Sequence, residues 1–334
     1  MTDSGTTDSG TTDSGTTDSG TTDSGNTEIE LSCSAVTVED LINTGGSVNL
    51  TLPADLTQTA SQLILQTDIS NLMTQFDPTS GAITLVPGAS RLPIDIDYTV
   101  ESTDNSVIGN YRHTLLINPL RIMPLGDSIT QGIEYFETTD LPPPPMRVGY
   151  RKFLYDRLTN DGFEIDFLGQ GGQSAGEAAG LLDPENNGYP GVEVSFLVAK
   201  LEEQLAEDPV DVILLHIGTN NTPSDAAGID EWLDGLDTWE AANYPVQVFI
   251  ATIVPKRDPA LNAVVDQFNA DLRTRIAARA GDMVQLVEQN LAVSVNEISD
   301  EPIGIHPNID GYELMANAWY EALIGSAALR QCDQ

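Results

Sequence analysis

Ser128, in Gly126-Asp127-Ser128-Ile129, offers a hydroxyl that becomes a nucleophile once a base takes its proton. His306, in Ile305-His306-Pro307, offers that base, because the proton affinity of an imidazole lies near neutrality. Asn220, closing Gly218-Thr219-Asn220, offers a side-chain N–H for the charge that develops on an attacked carbonyl oxygen. A lone Gly-Asp-Ser triplet is common in turns and says little. The plain reading of each block alone is a capped strand-to-helix turn at Ser128 and a polar turn at Asn220. The ordered set, each member just after an expected strand or in a late loop, supplies the parts of an acyl-transfer site.

Other residues sort around these three. Gly169, in Phe167-Leu168-Gly169-Gln170-Gly171-Gly172, can lend its amide to the same oxyanion, alongside the amide of Ser128. That stretch does not make a dinucleotide fingerprint, because the third glycine position is Ser174. Thr130 stands where a Gly-x-Ser-x-Gly elbow would have its second glycine. Of the other two histidines, His113 lies among β-type runs. His216 lies inside the apolar run Val212–Ile217, where a hydrogen-bonded structural role is expected. No Cys/His cluster and no Walker glycine-lysine loop is present, so neither a metal nor a nucleotide cofactor is expected.

The elements that must position these groups follow from periodicity. From Leu120 onward, strands are expected at Leu120–Leu125, Phe163–Leu168, Val210–Ile217, Val246–Ile253 and Met283–Val287. Helices are expected at Tyr150–Asn160, Val194–Ala206, Ile229–Ala242 and Leu261–Ala280, with a last one from about Asp310 to Leu329. This alternation predicts a doubly wound parallel α/β sheet with its site at the carboxyl ends of the strands. Ser128 and Asn220 fall at such ends. Residues 28–118 read differently, as short β-type runs at Gln62–Leu65, Ala82–Val86, Ile94–Val100 and His113–Ile117, with Val48, Leu50 and Leu52 alternating against polar neighbours. Turn signals at Asp77-Pro78-Thr79-Ser80-Gly81, Pro87-Gly88 and Thr103-Asp104-Asn105-Ser106 divide them, which predicts a small all-β sandwich. Asp77, Asp95, Asp97 and Asp104 are either solvated strand-edge carboxylates or calcium ligands.

The chain has 334 residues and a net charge of -37, from 51 acidic and 14 basic side chains. Nucleic acids and anionic membrane surfaces would repel it. No apolar run reaches roughly 18 residues, so no membrane insertion is expected. Residues 1–27 are a Thr-Thr-Asp-Ser-Gly repeat that buries nothing, expected to be a disordered linker. Such tethers follow a leader or anchor in exported proteins, so an extracellular, periplasmic or cell-surface location is expected, with the leader lying before Met1. Cys33 and Cys332, near the two ends of the ordered chain, either form a disulfide or are two unrelated thiols. The tetraproline run Pro142–Pro145 is expected to stiffen a loop near the site.

Together the blocks resemble the SGNH (GDSL-type) hydrolases, whose four named residues match Ser128, Gly169, Asn220 and His306. A more specific resemblance is to the acetylxylan-esterase-like third family of carbohydrate esterases. It is carried by Arg121-Ile122-Met123-Pro124-Leu125-Gly126-Asp127-Ser128-Ile129-Thr130, Gly149-Tyr150-Arg151 with Leu154, and Asp166-Phe167-Leu168-Gly169. Gly188-Tyr189-Pro190-Gly191, Leu214-Leu215-His216-Ile217-Gly218-Thr219-Asn220 and His306-Pro307-Asn308 with Gly311-Tyr312 complete it. The resemblance covers Leu120 to about Leu329. It implies a flavodoxin-like sheet over residues 119–334 and a serine esterase that removes acetyl groups from carbohydrate or another small ester, without metal or cofactor. Phe76–Thr84 and Tyr98–Asp104 resemble cadherin-like or immunoglobulin-like modules of bacterial surface proteins. The same fold also hosts lipid and aryl esterases and thioesterases, and a third reading is a surface-binding protein with a decayed hydrolase domain.

Two positions depart from the family pattern. Ile303 stands where an Asp usually precedes the histidine by three residues. Loss of the orienting carboxylate from a serine-protease triad costs about 10⁴ in rate. A Ser128–His306 dyad, or a triad completed by Asp300, is therefore expected, with Glu301 or a backbone carbonyl as other ways to hold the imidazole. Asn221 stands where Asp is more usual and is expected to support the turn.

Overall fold

The computed structural model describes residues 30–50, 62–70, 72–86, 92–102, 107–134, 146–170, 180–207, 210–222, 226–279, 281–300 and 302–332. The expectations for the repeat 1–27, Leu52, the turns at Pro87-Gly88 and 103–106 with Asp104, the run Pro142–Pro145, Ser174 and Glu301 lie outside the described residues.

The first region contains β1 (Glu30–Thr37), α1 (Val38–Asn43), β2 (Ser47–Asn49), β3 (Gln62–Leu65), β4 (Met73–Phe76), β5 (Ala82–Leu85), β6 (Ile94–Glu101) and β7 (Val107–Asn118). They form two small sheets, ordered β1-β7-β6-β3 and β2-β5-β4. Along β6 the apolar Ile96, Tyr98 and Val100 are buried, and the residues between them are partly exposed. Those inward residues share one core with Val48, Leu63, Ile83, Leu85 and Leu115 from both sheets. The pairing of β1 with β7 is parallel, unlike the other pairings of the two sheets. His113 is fully buried between β1 side chains, with Nδ1 2.9 Å from Ser32 Oγ and Nε2 2.8 Å from Ser34 Oγ. Asp95 and Asp97 do not form an open carboxylate cluster of the kind calcium needs. Arg112 donates to Asp97 at 2.6 Å and Arg330 to Asp95 at 2.8 Å, while Asp77 accepts from Ser80 Oγ at 2.7 Å within its own turn.

The second region contains β8 (Leu120–Gly126), α2 (Ser128–Gln131), α3 (Gly149–Asn160), β9 (Ile165–Phe167), β10 (Asn187–Gly188), α4 (Val194–Glu207) and β11 (Val212–His216). It continues with α5 (Ala227–Glu240), β12 (Gln247–Ala251), α6 (Pro259–Ala278), β13 (Val284–Val287), α7 (Gln289–Ala292), a 3₁₀ turn at Val295–Glu297 and α8 (Ile309–Ile324). The sheet runs β10-β8-β11-β12-β13, with β9 also on β8, and every pairing in it is parallel. All residues of β8 and β11 are buried, because helices cover both faces of the sheet. Alternate residues divide between the two faces. Ile122, Leu214 and Phe249 pack with Leu154 of α3 and Met315 and Trp319 of α8. Met123, Leu215 and Ile250 pack with Leu201 of α4, Trp232 of α5 and Phe268 of α6.

One buried ion pair pins the central register. Arg121 opens β8 and donates twice to Asp211, which precedes β11, at 2.8 Å from Nε and 2.6 Å from Nη2. The Arg121 amide also donates to that carboxylate at 3.0 Å. The pair sits at one end of two strands whose other ends align Gly126 with His216. A slip would strand a buried charge, and breaking such a pair typically costs about 3–5 kcal/mol.

The last helix is shorter than its sequence pattern suggests, ending at Ile324 rather than Leu329. Gly325 and Ser326 turn the chain, with Ser326 Oγ accepting from the Ala328 amide at 3.1 Å. Ala328 and Leu329 still reach the core, but from the turn. The tail then carries Cys332 to Cys33, and the two form a disulfide across a sequence separation of 299. A cleft of about 480 Å³ lies beside this bridge, lined among others by Pro93, Asp161, Phe163 and Arg330. It lies at the Leu120 end of β8 rather than at the Gly126 end, and two of its charged side chains are already paired: Arg330 with Asp95, and Asp161 with the Tyr320 hydroxyl. No helix among the described residues is long and apolar enough to cross a membrane.

A covalent loop of this length restricts the unfolded chain by on the order of 5 kcal/mol in the loop-entropy model. The Cys33→Ser/Cys332→Ser double variant is predicted to lose about 2–5 kcal/mol of stability in urea unfolding. Dithiothreitol should destabilise the wild type and leave the double variant unchanged. Superimposable curves for all samples would show that the bridge contributes nothing.

Candidate active site

Ser128, the expected nucleophile, is placed by a sharp exit from β8. At Gly126 a β-carbon would lie 2.1 Å from the carbonyl oxygen of His216 on β11, so only glycine lets the two strands close there. Asp127 then caps the single turn of α2, with Oδ1 accepting from the Ile129 amide at 2.9 Å. Ser128 is thus the first residue of a helical turn, where backbone amides point outward without helical partners.

A buried arginine holds that turn from beneath. Arg151 of α3 donates to the carbonyls of Thr130 at 3.0 Å, Gln131 at 3.1 Å, Arg147 at 3.0 Å and Pro184 at 3.0 Å. Burial pulls its guanidinium down to about 10, which still leaves it charged at neutral pH. The Tyr312 hydroxyl of α8 donates to the Ile133 carbonyl at 2.6 Å and ties the end of the turn to the last helix.

His306, the expected base, arrives from the loop before α8. His306 Nε2 lies 2.9 Å from Ser128 Oγ, across 178 residues of sequence, and both residues are only 5% exposed. With a neutral imidazole the hydroxyl donates to Nε2, the geometry for proton removal. The loop is braced on both sides of the histidine. The Ser299 amide donates to the His306 carbonyl at 2.8 Å, and the Asn308 amide to the Glu297 carbonyl at 2.8 Å. Asn308 also caps α8 by accepting from the Gly311 amide at 2.9 Å.

The structure places Asp300 away from this histidine, contrary to the expectation of an Asp300-completed triad. Its carboxylate accepts from Arg257 Nη1 at 2.7 Å, and its side chain is 95% exposed. Arg257 also donates from Nε to the Ile298 carbonyl at 2.8 Å and from its amide to the Gly304 carbonyl at 2.9 Å. Asp300 therefore belongs to the outer fastening of the loop. Ile303, where the resembling family has Asp, is 56% exposed.

The two expected oxyanion donors follow strands that flank β8. Gly169 comes after β9 with φ +139°, and a β-carbon there would lie 2.3 Å from the Asn186 carbonyl carbon. The next amide, of Gln170, donates to Asn187 Oδ1 at 2.9 Å. Asn220 follows β11 in a turn closed by the Asn221 amide on the Gly218 carbonyl at 3.0 Å. Asn220 Nδ2 donates to the Val192 carbonyl at 2.9 Å, which leaves its second hydrogen for another acceptor. Asn221 Oδ1 accepts from the Val194 amide at 3.1 Å, so it ties the turn to the start of α4.

Around the Ser128 turn lie buried titratable groups that sequence reasoning missed or misjudged. His216 is buried as expected, but neither ring nitrogen has a hydrogen-bond partner among the described residues. Burial lowers its proton affinity and the Asp127 carboxylate opposes this. Lys256 is 8% exposed, and its ammonium donates to the Thr219 carbonyl at 2.7 Å. Burial lowers its proton affinity too, again against Asp127. A signal was available: with only 14 basic residues in the chain, a lysine in Ile253-Val254-Pro255-Lys256, directly after an apolar strand, is out of place. Among the described residues no cluster of His, Cys, Asp and Glu is arranged to hold a metal ion.

Known proteins resemble this chain over about 62% of its length. No protein-family model matches it. A multidomain esterase of Ruminococcus flavefaciens is 27% identical over 231 residues, 62% of this chain and 28% of that protein. The chain thus covers less than a third of the curated relative's length. Among solved structures, a family 3 carbohydrate esterase of Clostridium thermocellum is 28% identical, with a TM-score of 0.49 over 62% of this chain and 96% of that one. An acetyl esterase mutant crystallised with acetate ion is 20% identical, with a TM-score of 0.51 over 62% of this chain and 97% of that one. The last likeness shows a common fold: a mostly parallel α/β sheet, here preceded by smaller β-sheets.

Gly169→Ala is predicted to slow hydrolysis of a small activated ester by roughly tenfold or more, because the new methyl must displace the Asn186 peptide. Asp300→Ala should stay within about twofold of wild type, since it removes only an exposed ion pair. The reverse ranking would support a role for Asp300 and count against one for Gly169.

Proposed function

We propose that the protein is a serine esterase of the SGNH (GDSL-type) hydrolase fold, acting on short acyl esters and foremost on acetyl groups of carbohydrate. The observation that carries this reading is the 2.9 Å hydrogen bond between Ser128 Oγ and His306 Nε2. The sequence likeness to the multidomain esterase points the same way.

In this mechanism the Ser128 oxygen attacks the ester carbonyl carbon while His306 takes the hydroxyl proton. The amides of Ser128 and Gly169 and the carboxamide of Asn220 receive the oxyanion. His306 returns the proton to the leaving alcohol as the C–O bond breaks, and an acyl-Ser128 remains. Water, deprotonated by His306, then attacks the acyl carbon, and the carboxylic acid departs as Ser128 regains its proton. A loop pinned on both flanks orients the imidazole, so Asp300 is not needed. No metal or cofactor takes part in any step.

The division of labour follows the chain. Residues 119–334 form the catalytic domain. Residues 28–118 form a cadherin- or immunoglobulin-like module, fastened to it by Cys33–Cys332 and Arg330–Asp95. The repeat 1–27 serves as a tether at the cell surface or outside the cell, consistent with the strongly acidic composition.

Purified protein should release acetate from acetylated xylan and from small acetyl esters faster than it cleaves long-chain acyl esters. Ser128→Ala and His306→Ala should each lower kcat by on the order of 10⁴-fold or more. Asn220→Ala should lower it by about 10²- to 10³-fold. Equal rates for wild type and Ser128→Ala would contradict the catalytic reading. Faster turnover of long acyl esters would move the protein to the lipid-esterase class of the same fold.

A further inference from the structure

Lys256 stands out because a buried ammonium is costly and the α/β sheet does not need one. Lysine is seldom fully buried unless paired. The direct hydrogen-bond partner of this one is a neutral backbone carbonyl, that of Thr219, at 2.7 Å. No ion pair to it is formed among the described residues. The charge that favours its protonated form is the carboxylate of Asp127, the residue before Ser128.

The bonded carbonyl belongs to an informative peptide. Thr219 C=O and Asn220 N–H share one rigid plane and point in opposite directions. A donor that fixes the carbonyl therefore fixes the roll of the whole plane, and with it the departure of the Asn220 side chain. That side chain has its own anchor, Nδ2 on the Val192 carbonyl at 2.9 Å. Two fixed points, one on the main chain and one on the carboxamide, determine where the second Nδ2 hydrogen aims. Lys256 is itself held. Its amide donates to Asn262 Oδ1 at 3.0 Å, in the connection from β12 to α6. Since β12 pairs with β11, the lysine reaches the turn from the adjacent strand end.

We propose that Lys256 is a positioning residue for the oxyanion donor: its ammonium, through the Thr219 carbonyl, holds the Asn220 carboxamide in its working orientation. This rests on the esterase reading above for its chemistry, though not for its geometry. It explains why a charge is buried beside a turn that a neutral, fully solvated sequence could also close. An unpinned Asn220 would have to be ordered during the reaction, and a donor that reorganises in the transition state stabilises less than a fixed one.

Two measurements on the full-length protein test it, with Lys256→Met and Lys256→Gln. Both remove the ammonium, and the polar glutamine variant serves if the methionine variant does not fold. The first is the NMR spectrum of protein labelled with ¹⁵N-asparagine. In wild type the two Nδ2 protons of Asn220 should give separate, slowly exchanging signals, and in the variants their exchange should accelerate about tenfold or more. Unchanged signals would overturn the proposal. The second is a double-mutant cycle on a small acetyl ester. Lys256→Met should lower kcat about 10- to 100-fold with KM changed less than about threefold, and Asn220→Ala should then cost less than about tenfold further. Additive losses, or a change confined to KM, would show a merely structural role and overturn it. A wild type that hydrolyses no ester would sink the esterase reading, and the NMR result would still decide whether Lys256 holds Asn220.

Discussion

The hydrogen bond from Ser128 to His306 is the contact on which the rest depends. It joins groups 178 residues apart, and neither loop could hold it alone. Ser128 is fixed by the exit from β8, through Asp127 as cap and Arg151 as clamp on the carbonyls beneath. His306 is fixed by a loop that returns on itself between Ser299 and Asn308 and is fastened outside by Arg257. The two anchors meet because α8 packs on α3 across one face of the sheet, with Met315 and Trp319 beside Leu154.

Strand register carries this precision from the core to the site. The Arg121–Asp211 pair lies at the entry to β8 and β11, and Gly126 and His216 lie opposite each other at the exit. A one-residue slip would reverse which side chains face each helix layer and would also separate Ser128 from the Asn220 turn. The same register thus serves packing and chemistry. Buried cations do comparable work locally: Arg151 and Lys256 each hold backbone carbonyls beside Ser128 and Asn220, where a buried carbonyl needs a donor.

Much of this was legible in the sequence, for identifiable reasons. The central strands of the α/β region stood out because Ile213 to Leu215 and their counterparts in β8 are buried on both faces, so an unbroken apolar run has one meaning. Ser128 and His306 were legible as types with few alternatives, His306 being one of only three histidines. The parallel partner of β1 was not, because a strand 80 residues away leaves no hairpin signal. Nor was the end of α8, where apolar Ala328 and Leu329 continue the pattern although the chain has already turned at Gly325. Asp300 misled because sequence proximity to a histidine says nothing of direction, and Arg257, 43 residues earlier, claims its carboxylate. Arg151 and Lys256 could be noticed as rare cations beside apolar runs, but the carbonyls they hold could not, because a carbonyl has no signature in the sequence.

The central assertion is that His306 activates Ser128 as a nucleophile, and covalent capture reads this directly. Intact-mass spectrometry with peptide mapping, after brief exposure to a fluorophosphonate, should find one adduct per wild-type chain, on Ser128. His306→Ala should remain almost unlabelled over the same time while keeping its fold by circular dichroism. Labelling of Ser128 at the same rate in both proteins, or of another serine in the wild type, would contradict the account.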